Sequence, residues 1–518
     1  MIAYKSCALL LTLVGLFFIL PSNAAAACTG SGKSWSCAAG SAVSDVNSAI
    51  ASASDGATIT FASGSYTWNG TINLPNNSGV TLICATVGGC VVSTNTTVIG
   101  MMNTLSGNNT NFYRISGFSF TESNVGLMIW IYGTGTLNQI RIDHNTMTGP
   151  SGSDLLFFGE QTTLGHYYGV IDHNTVNCDA NCTFFEMVGS VNNSPPPDAL
   201  GTVNNMFLED NTMRVTTMDN AGAGCIDGWG GDAAIVWRHN TTTNCLVTVH
   251  GVTHNGGPSN VELYNNSISV NSGSTGVGVQ SCYRCFHHQG SEMFVAFDNS
   301  FTAYSGKNAA ALDMAHYRSY ANGPSSDGNM PTCNGTQSID GNRSPSTTWY
   351  GYPCWRQPGR DSFGKYKPMY VWNNFWSDTR AQVPMNFDDF GGAPPPSCTT
   401  GASGNCDYFQ TQMKLDREGY NAVSASAQDS PSSPFDGTTG MGFGTLANRP
   451  TSCTTNSEGG AGVGYFATDS GPQGTLYTCS ATNTWTTYYT PYTYPHPLVT
   501  GGGGQQPAPP TGLQATVQ

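Results

Sequence analysis

A short motif built around an asparagine recurs seven times in this chain and constrains its fold more than any other feature. Each copy has a short apolar-alternating strand, a polar pair containing Asn, and then a small or β-branched residue. Repeats of this size that share one fixed feature predict a stacked solenoid. The copies are RIDHNTM (141–147), VIDHNTV (170–176), FLEDNTM (207–213), VWRHNTT (236–242), ELYNNSI (262–268), VAFDNSF (295–301) and VWNNFWS (371–377).

The spacing between successive turn asparagines gives the number of residues in each coil. Strands with a two-residue period exclude helical repeats, and Asn tolerates the left-handed backbone of a sharp bend. Asn side chains stacked in successive coils can also bond backbone groups that the bend leaves open. We therefore expect an all-β solenoid with an Asn ladder, and a structural role for the repeat. Steps of 29, 37, 29, 26 and 33 residues separate Asn145, Asn174, Asn211, Asn240, Asn266 and Asn299.

The I-D-H-N-T copies resemble the coils of the pectate-lyase-like superfamily, in which Asn ladders occupy one turn of a right-handed parallel β-helix. The stretch 55–85 resembles the first coils of that superfamily, and ISGFSF at 115–120 supplies a further coil. The resemblance implies a single-stranded right-handed parallel β-helix that acts on a polysaccharide. A complete calcium and arginine motif of pectate lyases does not align, and the paired-Asp and G-H-G signatures of polygalacturonases do not appear.

The chain divides into four parts by composition. Residues 1–27 have the charged, apolar and small-residue order of a cleaved secretory signal. Residues 28–380 are predicted to form the β-helix, with long loop insertions at 190–205 and 319–367. Residues 381–500 are predicted to form an irregular, disulfide-stapled C-terminal cap over the last coil, and 501–518 a Gly/Pro-rich tail.

Cysteine usage predicts an oxidising compartment. Of the 17 cysteines, Cys7 lies in the secretory signal, and the others fall as close neighbours. An even number behind an export signal favours local disulfides, although spacing leaves the connectivity open. The neighbours are Cys28 and Cys37, Cys84 and Cys90, Cys178 and Cys182, Cys225 and Cys245, Cys282 and Cys285, Cys333 and Cys354, Cys398 and Cys406, and Cys453 and Cys479.

Charge and hydropathy exclude several classes of partner. The formal net charge is −14, which disfavours nucleic acid and an anionic membrane face. No stretch of the mature chain approaches the about 18 apolar residues of a membrane span. These features predict a secreted, cell-surface or periplasmic protein without an integral membrane span.

Candidate chemistry lies upstream of each turn Asn, on the strand that the superfamily usually presents to its substrate. These strands carry a polar residue in almost every coil, and neighbouring strands lie about 4.8 Å apart. We therefore expect one polar strip, with Glu186, Asp227, His250, His287 and Arg318 as catalytic candidates. Glu186 and Asp227 could act as acid and base or hold Ca²⁺. The full strip is Glu160, Glu186, Asp227, His250, His287 and His316.

Aromatic residues accompany the strip and predict sugar contacts, although aromatic stacks also fill solenoid interiors. Trp229, which stands between glycines, is the one expected to be exposed. In the C-Y-R-C-F-H-H segment the haem signature is broken by Phe286, and a small disulfide loop is favoured over zinc. The substrate-binding candidates are Trp229, Trp130, Tyr283, Tyr317 and His288.

Two functions from different classes remain open. The first is a carbohydrate-active enzyme, either a lyase that cleaves a uronic-acid polymer by β-elimination or a hydrolase that uses paired carboxylates. The second is a non-catalytic extracellular β-helix that binds glycan or has an adhesive or structural role. The D-H pairs, Asp143 with His144 and Asp172 with His173, invite a catalytic interpretation, but their repetition at the turn favours a structural one.

Overall fold

The structure is a computed structural model, and its three long sheets run the length of a solenoid. Each coil contributes one strand to each sheet in turn, which is the arrangement of a parallel β-helix. The fold class predicted from the repeat is thus confirmed. The structure describes residues 27–105, 107–124, 126–160, 165–179, 182–189, 199–216, 226–230, 233–250, 258–271, 285–289, 293–304, 306, 311–315, 368–383, 385–388, 413–415, 435–438, 440–455 and 462–500.

The first sheet has 13 strands, and all pairs except the first are parallel. It precedes the Asn turn in each coil. Its strands are Cys28–Ser31, Ser34–Cys37, Ala57–Phe61, Val80–Cys84, Asn108–Ser116, Gly135–Asp143, Gly165–Asp172, Met206–Glu209, Ala234–Arg238, Asn260–Tyr264, Met293–Phe297, Met369–Trp372 and Met413–Leu415.

The second sheet follows the Asn turn directly and has 10 strands. Its outward residues alternate with buried ones, as the two-residue period requires. The strands are Gly64–Thr67, Cys90–Thr94, Phe118–Glu122, Thr146–Gly149, Thr175–Cys178, Thr212–Val215, Thr241–Thr243, Ser267–Ser269, Ser300–Thr302 and Phe375–Trp376.

The third sheet completes each coil and also has 10 strands. They are Ile72–Asn73, Ile99–Asn103, Leu127–Gly133, Asp154–Gly159, Thr183–Val188, Ile226–Trp229, Val247–His250, Phe286–Gln289, Leu312–Ala315 and Met385–Asp388. The helices among the described residues are Val43–Ser52, the short 3₁₀ helix Leu446–Asn448 and Pro497–Thr500. None of the helices among the described residues has the length and apolar character needed to cross a membrane.

The Asn ladder runs between the first and second sheets as predicted, and it continues to Asn374. The Nδ2 of Asn211 donates to the Oδ1 of Asn240 at 3.0 Å and to the Ile171 carbonyl at 2.8 Å. The Asn211 Oδ1 accepts both the backbone N–H and the Nδ2 of Asn174, each at 3.0 Å. Each buried amide therefore satisfies its own polar atoms and two backbone groups of the bend.

The left-handed residue of the turn is not the ladder Asn, which corrects the sequence expectation. It is the residue before it, at φ 56° in His144, 54° in His173 and 58° in His239. The ladder Asn is buried and must direct its amide along the stack, so the preceding residue takes the strained backbone. This position is filled by His, Asp or Asn, whose side chains project outward.

Replacing Asn240 by Ala should destabilise the protein by on the order of 3 kcal/mol, because buried polar groups in two neighbouring coils lose their partners. The Asn211 N–H and the Leu208 carbonyl, at 3.0 and 2.8 Å, are among those groups. Chemical denaturation at equilibrium measures the change. Asn177→Ala, at an exposed position of the second sheet, is the matched control and should lie within about 0.5 kcal/mol of wild type. Equal effects of the two variants would contradict a structural ladder.

Disulfides close local loops, as the spacing of the cysteines predicted. The structure contains Cys28–Cys37, Cys84–Cys90, Cys178–Cys182 and Cys453–Cys479. Such bonds are compatible with an oxidising compartment. Cys245 and Cys285 are also disulfide-bonded. The predicted neighbours Cys225, Cys282, Cys333, Cys354, Cys398 and Cys406 lie outside the described residues.

The described residues 435–438, 440–455 and 462–500, which we call the C-terminal segment, pack against the flank of the solenoid. The sequence predicted an irregular covering over the last coil, but the described part contains a four-stranded sheet that packs on the outer face of the first sheet. Its apolar contacts join Met441, Phe466 and Leu476 to Phe297 and other outward residues of the first sheet. The four strands are Met441–Gly444, Gly464–Ala467, Thr475–Ala481 and Thr484–Tyr489.

Buried charges hold the end of this segment in place. Arg238 is fully buried and donates to Glu209 at 2.7 Å and to the carbonyls of Tyr492 and Thr493 at 2.6 and 2.9 Å. The hydroxyl of Tyr489 donates to Glu262 at 2.6 Å. Since charges are costly to bury without partners, these contacts define where the segment docks.

The two D-H pairs belong to the same outer face of the first sheet. Asp143 is buried and accepts from Arg114 at 2.7 Å, and Asp172 accepts from Arg141 at 3.0 Å. Arg141 also donates to the carbonyls of Leu498 and Val499. The D-H pairs thus help to join neighbouring coils to each other and to the C-terminal segment. They lie on the first sheet, whereas the predicted polar strip lies on the third sheet.

Docking of this segment should weaken in acid. Burial lowers the pKa of His496 from 6.5 to about 3 and that of His239 from 6.5 to about 4. His496 belongs to the end of the segment and packs against Phe207 of the first sheet with ring centroids 4.8 Å apart, and His239 stacks on Tyr494 at 3.7 Å. A base with a depressed folded pKa binds more protons when unfolded, so its stability contribution is full above pH 6.5 and falls below it.

For His496 the loss between pH 7 and 5 should be on the order of 2 kcal/mol. Burial raises the pKa of Glu262, whose contribution instead declines as pH rises above 4.5, so a comparison of variants is needed. His496→Asn should flatten the acid limb of the stability profile measured by urea denaturation. An unchanged acid limb in this variant would exclude His496 as its source.

Candidate functional site

The strands predicted to carry the polar strip all belong to the third sheet, wherever the structure describes them. Their side chains alternate between core and outer surface. Phe185, Met187 and Ile226 point inward and are buried, so Glu186 and Asp227 point outward. The apolar alternation of each strand therefore fixes which polar residues reach the surface.

Pairing between strands aligns the outward residues into one column, which we call the acid–histidine column. Glu186 pairs in register with Asp227, and Thr248 lies between Asp227 and His287. Neighbouring members are about 4.8 Å apart along the stack. The column is Trp130, Phe157, Glu186, Asp227, Thr248, His287 and Asp313.

Glu186 and Asp227 form the centre of the column, and both are half-buried. The indole Nε1 of Trp229 donates to Glu186 Oε1 at 2.7 Å across one coil. A hydrogen bond of this kind stabilises the ionised carboxylate and fixes its orientation. Gly230 follows the strand Ile226–Trp229 at φ +82°, where a Cβ would meet the carbonyl oxygen of Gly189 at 2.5 Å. The close approach of these two backbones beside Trp229 therefore requires glycine at position 230.

His287 forms the second chemical feature of the column. Its Nδ1 lies 2.7 Å from Asp313 Oδ2, and the Asp313 carboxylate is fully buried. A carboxylate in this position orients an imidazole and selects the tautomer that can exchange a proton through Nε2. His287 is 5 % exposed, so only a small part of its surface reaches solvent.

Aromatic rings occupy the other end of the column. Trp130 and Tyr132 stack with ring centroids 4.1 Å apart, and both are half-buried. The Trp130 indole donates to the Gly159 carbonyl at 3.3 Å, which holds the ring against the sheet. Partly exposed flat rings beside polar groups are suited to the apolar face of a sugar.

Acidic residues outside the column adjoin it. Burial raises the pKa of Asp154, which begins the strand next to that of Glu186, and repulsion from Asp227 adds to the effect. Burial likewise raises the pKa of Glu122 to about 7, and Asp154 contributes. Glu122 ends a strand of the second sheet and Asp154 begins a strand of the third, so two carboxyl groups whose ionisation is disfavoured lie near the turn between these sheets.

Two sequence predictions about the strip need correction. His288 cannot contact substrate as predicted, because it alternates with His287, points inward and is fully buried beside Phe286 and Phe294. Burial lowers the pKa of His288 to about 3, so it is neutral. Trp229 was expected to be exposed but is 8 % exposed, since its indole lies over Glu186.

The other candidates take different positions. His250 pairs in register with Trp229 and so belongs to the neighbouring column, and its side chain lies outside the described part of the structure. Glu160 is half-buried just beyond the strand that ends at Gly159. Tyr283, His316, Tyr317 and Arg318 lie outside the described residues.

Asp313, Thr248 and Phe157 were missed by sequence reasoning. The sequence contained a pattern that would have identified Asp313. Aligning the inward residue Leu312 with the inward residue Phe286 places Asp313 directly beside His287. Distance from the turn Asn was used instead, and this measure shifts with every loop insertion.

The calcium prediction rests on Glu186 and Asp227 alone. Among the described residues, no group of three or more His, Cys, Asp or Glu is arranged to hold a metal ion. A calcium ion normally takes 6–8 oxygen ligands. Any Ca²⁺ here would need backbone, water or substrate oxygens in addition to these two carboxylates.

Fold and column together define a parallel β-helix protein with an outward strip of carboxylates, imidazole and aromatic rings. No protein-family model matches the chain. No curated protein matches it either.

Proposed function

We propose that this protein is a secreted enzyme that cleaves an extracellular polysaccharide on the outer face of the third sheet. The single observation that carries the proposal is the register that aligns Glu186, Asp227 and His287 in one column. The stacked rings of Trp130 and Tyr132 continue that line and offer a sugar platform. Membership of the pectate-lyase-like superfamily, which the Asn repeat suggests, is part of the proposal.

The column contains two sets of possible catalytic groups, the carboxylates of Glu186 and Asp227 and the imidazole of His287, and they are too far apart to act on the same bond. His287 is three rungs from Glu186, which corresponds to about 14 Å along the stack. The backbones of Glu186 and Asp227 are one rung, or about 4.8 Å, apart. The reacting bond therefore lies either beside the carboxylate pair or beside His287.

Hydrolysis by Glu186 and Asp227 is the favoured reaction. Carboxyl groups about 5–5.5 Å apart suit retention of configuration, whereas inversion needs a wider gap for water. Glu186, whose carboxylate is oriented by the Trp229 indole, is assigned as the nucleophile. Asp227 is assigned as the acid that protonates the leaving oxygen and then activates water.

β-Elimination is the second candidate, and the His287–Asp313 contact favours it. An imidazole oriented by a carboxylate can remove the proton next to a uronic-acid carboxyl group. The chain's net charge of −14 gives no general attraction for an acidic polymer, so local cations or a metal would be required.

The purified protein should be incubated with a panel of neutral and acidic polysaccharides. Hydrolysis releases reducing ends without ultraviolet absorbance, whereas elimination produces an unsaturated product that absorbs. Reducing ends that form unchanged after chelation of divalent cations would support the carboxylate pair. Binding to a glycan with neither product would favour the non-catalytic alternative and contradict an enzyme.

A further inference from the structure

The outer face of the second sheet carries an array of hydroxyl groups that the proposed activity does not use. Each strand presents two outward residues, at positions i and i+2, and their neighbours between them are buried. Strand pairing places these residues in two straight columns. The successive pairs are Ser65 and Thr67, Val91 and Ser93, Ser119 and Thr121, Thr146 and Thr148, Thr175 and Asn177, Thr212 and Arg214, Thr241 and Thr243, Ser267 and Ser269, Ser300 and Thr302, and Phe375 and Ser377.

The composition of this array is almost uniform. Every position carries a Ser or Thr hydroxyl except Val91, Asn177, Arg214 and Phe375. All the residues of the array are exposed or half-buried. Arg214 is its one charged side chain, and its one aromatic ring, Phe375, is half-buried at the end.

The array is regular in two directions. Strands of a sheet are about 4.8 Å apart, and residues i and i+2 of one strand are roughly 6.6 Å apart. Hydroxyl groups of successive coils also bond to each other, as between Thr243 and Ser269 at 3.1 Å and between Thr302 and Ser377 at 2.7 Å. The Asn ladder at the edge of this sheet holds the coils in register. The face is therefore a fixed lattice of groups that both donate and accept hydrogen bonds.

A lattice of this kind fits a partner that is itself neutral and periodic. Sugar surfaces are usually recognised by exposed aromatic rings, and anions by basic groups. This face has neither in quantity. Hydroxyls can replace water molecules as donors and acceptors, and the Thr methyl groups shed loosely held water between them. We propose that the second sheet is an ice-binding face.

Thr and Ser ladders also stabilise sheets through cross-strand pairs, and partition into ice distinguishes this structural role from ice binding. The full mature chain should be frozen slowly onto a growing ice surface, with serum albumin as the non-binding reference. We expect the protein to be enriched in the ice fraction over albumin and to inhibit ice recrystallisation. The double variant Thr212→Tyr with Thr241→Tyr should return both signals to the albumin level.

The matched control is Thr487→Tyr, at an exposed position of the C-terminal sheet, which should retain wild-type ice partition. Circular dichroism shows whether the double variant is folded. Partition of the wild type equal to albumin would overturn the proposal, as would wild-type partition of a folded double variant. Binding of this face to crystalline cellulose instead of ice would also overturn it. The inference is independent of glycan cleavage, so either can fail alone.

Discussion

Replacing Glu186 by Gln, or Asp227 by Asn, should reduce polysaccharide cleavage by about 10²–10⁴-fold, the contribution of a positioned acid or base. Each change keeps the size of the side chain and removes its charge. In Glu186→Gln the Trp229 indole can still donate to the amide oxygen, so the local structure should persist. Initial rates of reducing-end formation on the best substrate of the panel measure the effect.

The matched control for these variants is Asp179→Asn, an exposed carboxylate that accepts from Thr216 at 3.2 Å, away from the column. It should cleave at the wild-type rate. His287→Ala separates the two proposed reactions, because a hydrolase centred on the carboxylate pair should retain most of its activity. Loss of turnover in His287→Ala, with full activity in Glu186→Gln, would move the chemistry to the His287–Asp313 pair.

Replacing Arg238 by Met should destabilise the protein by roughly 3–5 kcal/mol, the largest effect expected of a single substitution on this fold. The guanidinium is fully buried, and it bonds Glu209, the Tyr264 hydroxyl at 2.9 Å and the carbonyl oxygens of Tyr492 and Thr493. Its removal leaves Glu209 as a buried charge without its cation. We expect release of residues 490–500, detected as faster proteolysis of this segment, together with a lower melting temperature.

Arg214→Met, at an exposed position of the second sheet, is the control and should be neutral within about 0.5 kcal/mol. Arg238→Met combined with Glu209→Leu should recover part of the loss, because it removes the stranded charge. If the double variant were less stable than Arg238→Met by the full cost of a second core substitution, the destabilisation would not come from an uncompensated carboxylate.

The parts of the fold that follow from local patterns were predictable from the sequence. The seven Asn motifs predicted a solenoid and placed the ladder at Asn145 and its successors, because each turn needs the same buried amide. Grouping cysteines that are neighbours along the chain predicted disulfides such as Cys84–Cys90 and Cys453–Cys479, although spacing alone left the connectivity open. The left-handed position was misplaced by one residue, since burial of the Asn amide is a property of the stack and not of the single turn.

The candidate site was only partly predictable. Glu186, Asp227 and His287 were selected by their distance from the turn, but Asp313 was missed and His288 was assigned to the wrong face. Insertions change that distance from coil to coil. The side chain that faces outward depends on the phase of the strand, and one residue of error exchanges surface for core.

The sequence by itself determined the β-helix, its Asn ladder and its local disulfides, because each depends on a repeating pattern or on neighbours along the chain. The tertiary structure alone decided the register that joins Glu186 to Asp227 and His287 to Asp313. It also decided that residues 490–500 dock against Arg238 on the flank of the first sheet. These contacts join residues many positions apart, and their pairing is set by how coils of unequal length stack and which buried charges must be satisfied.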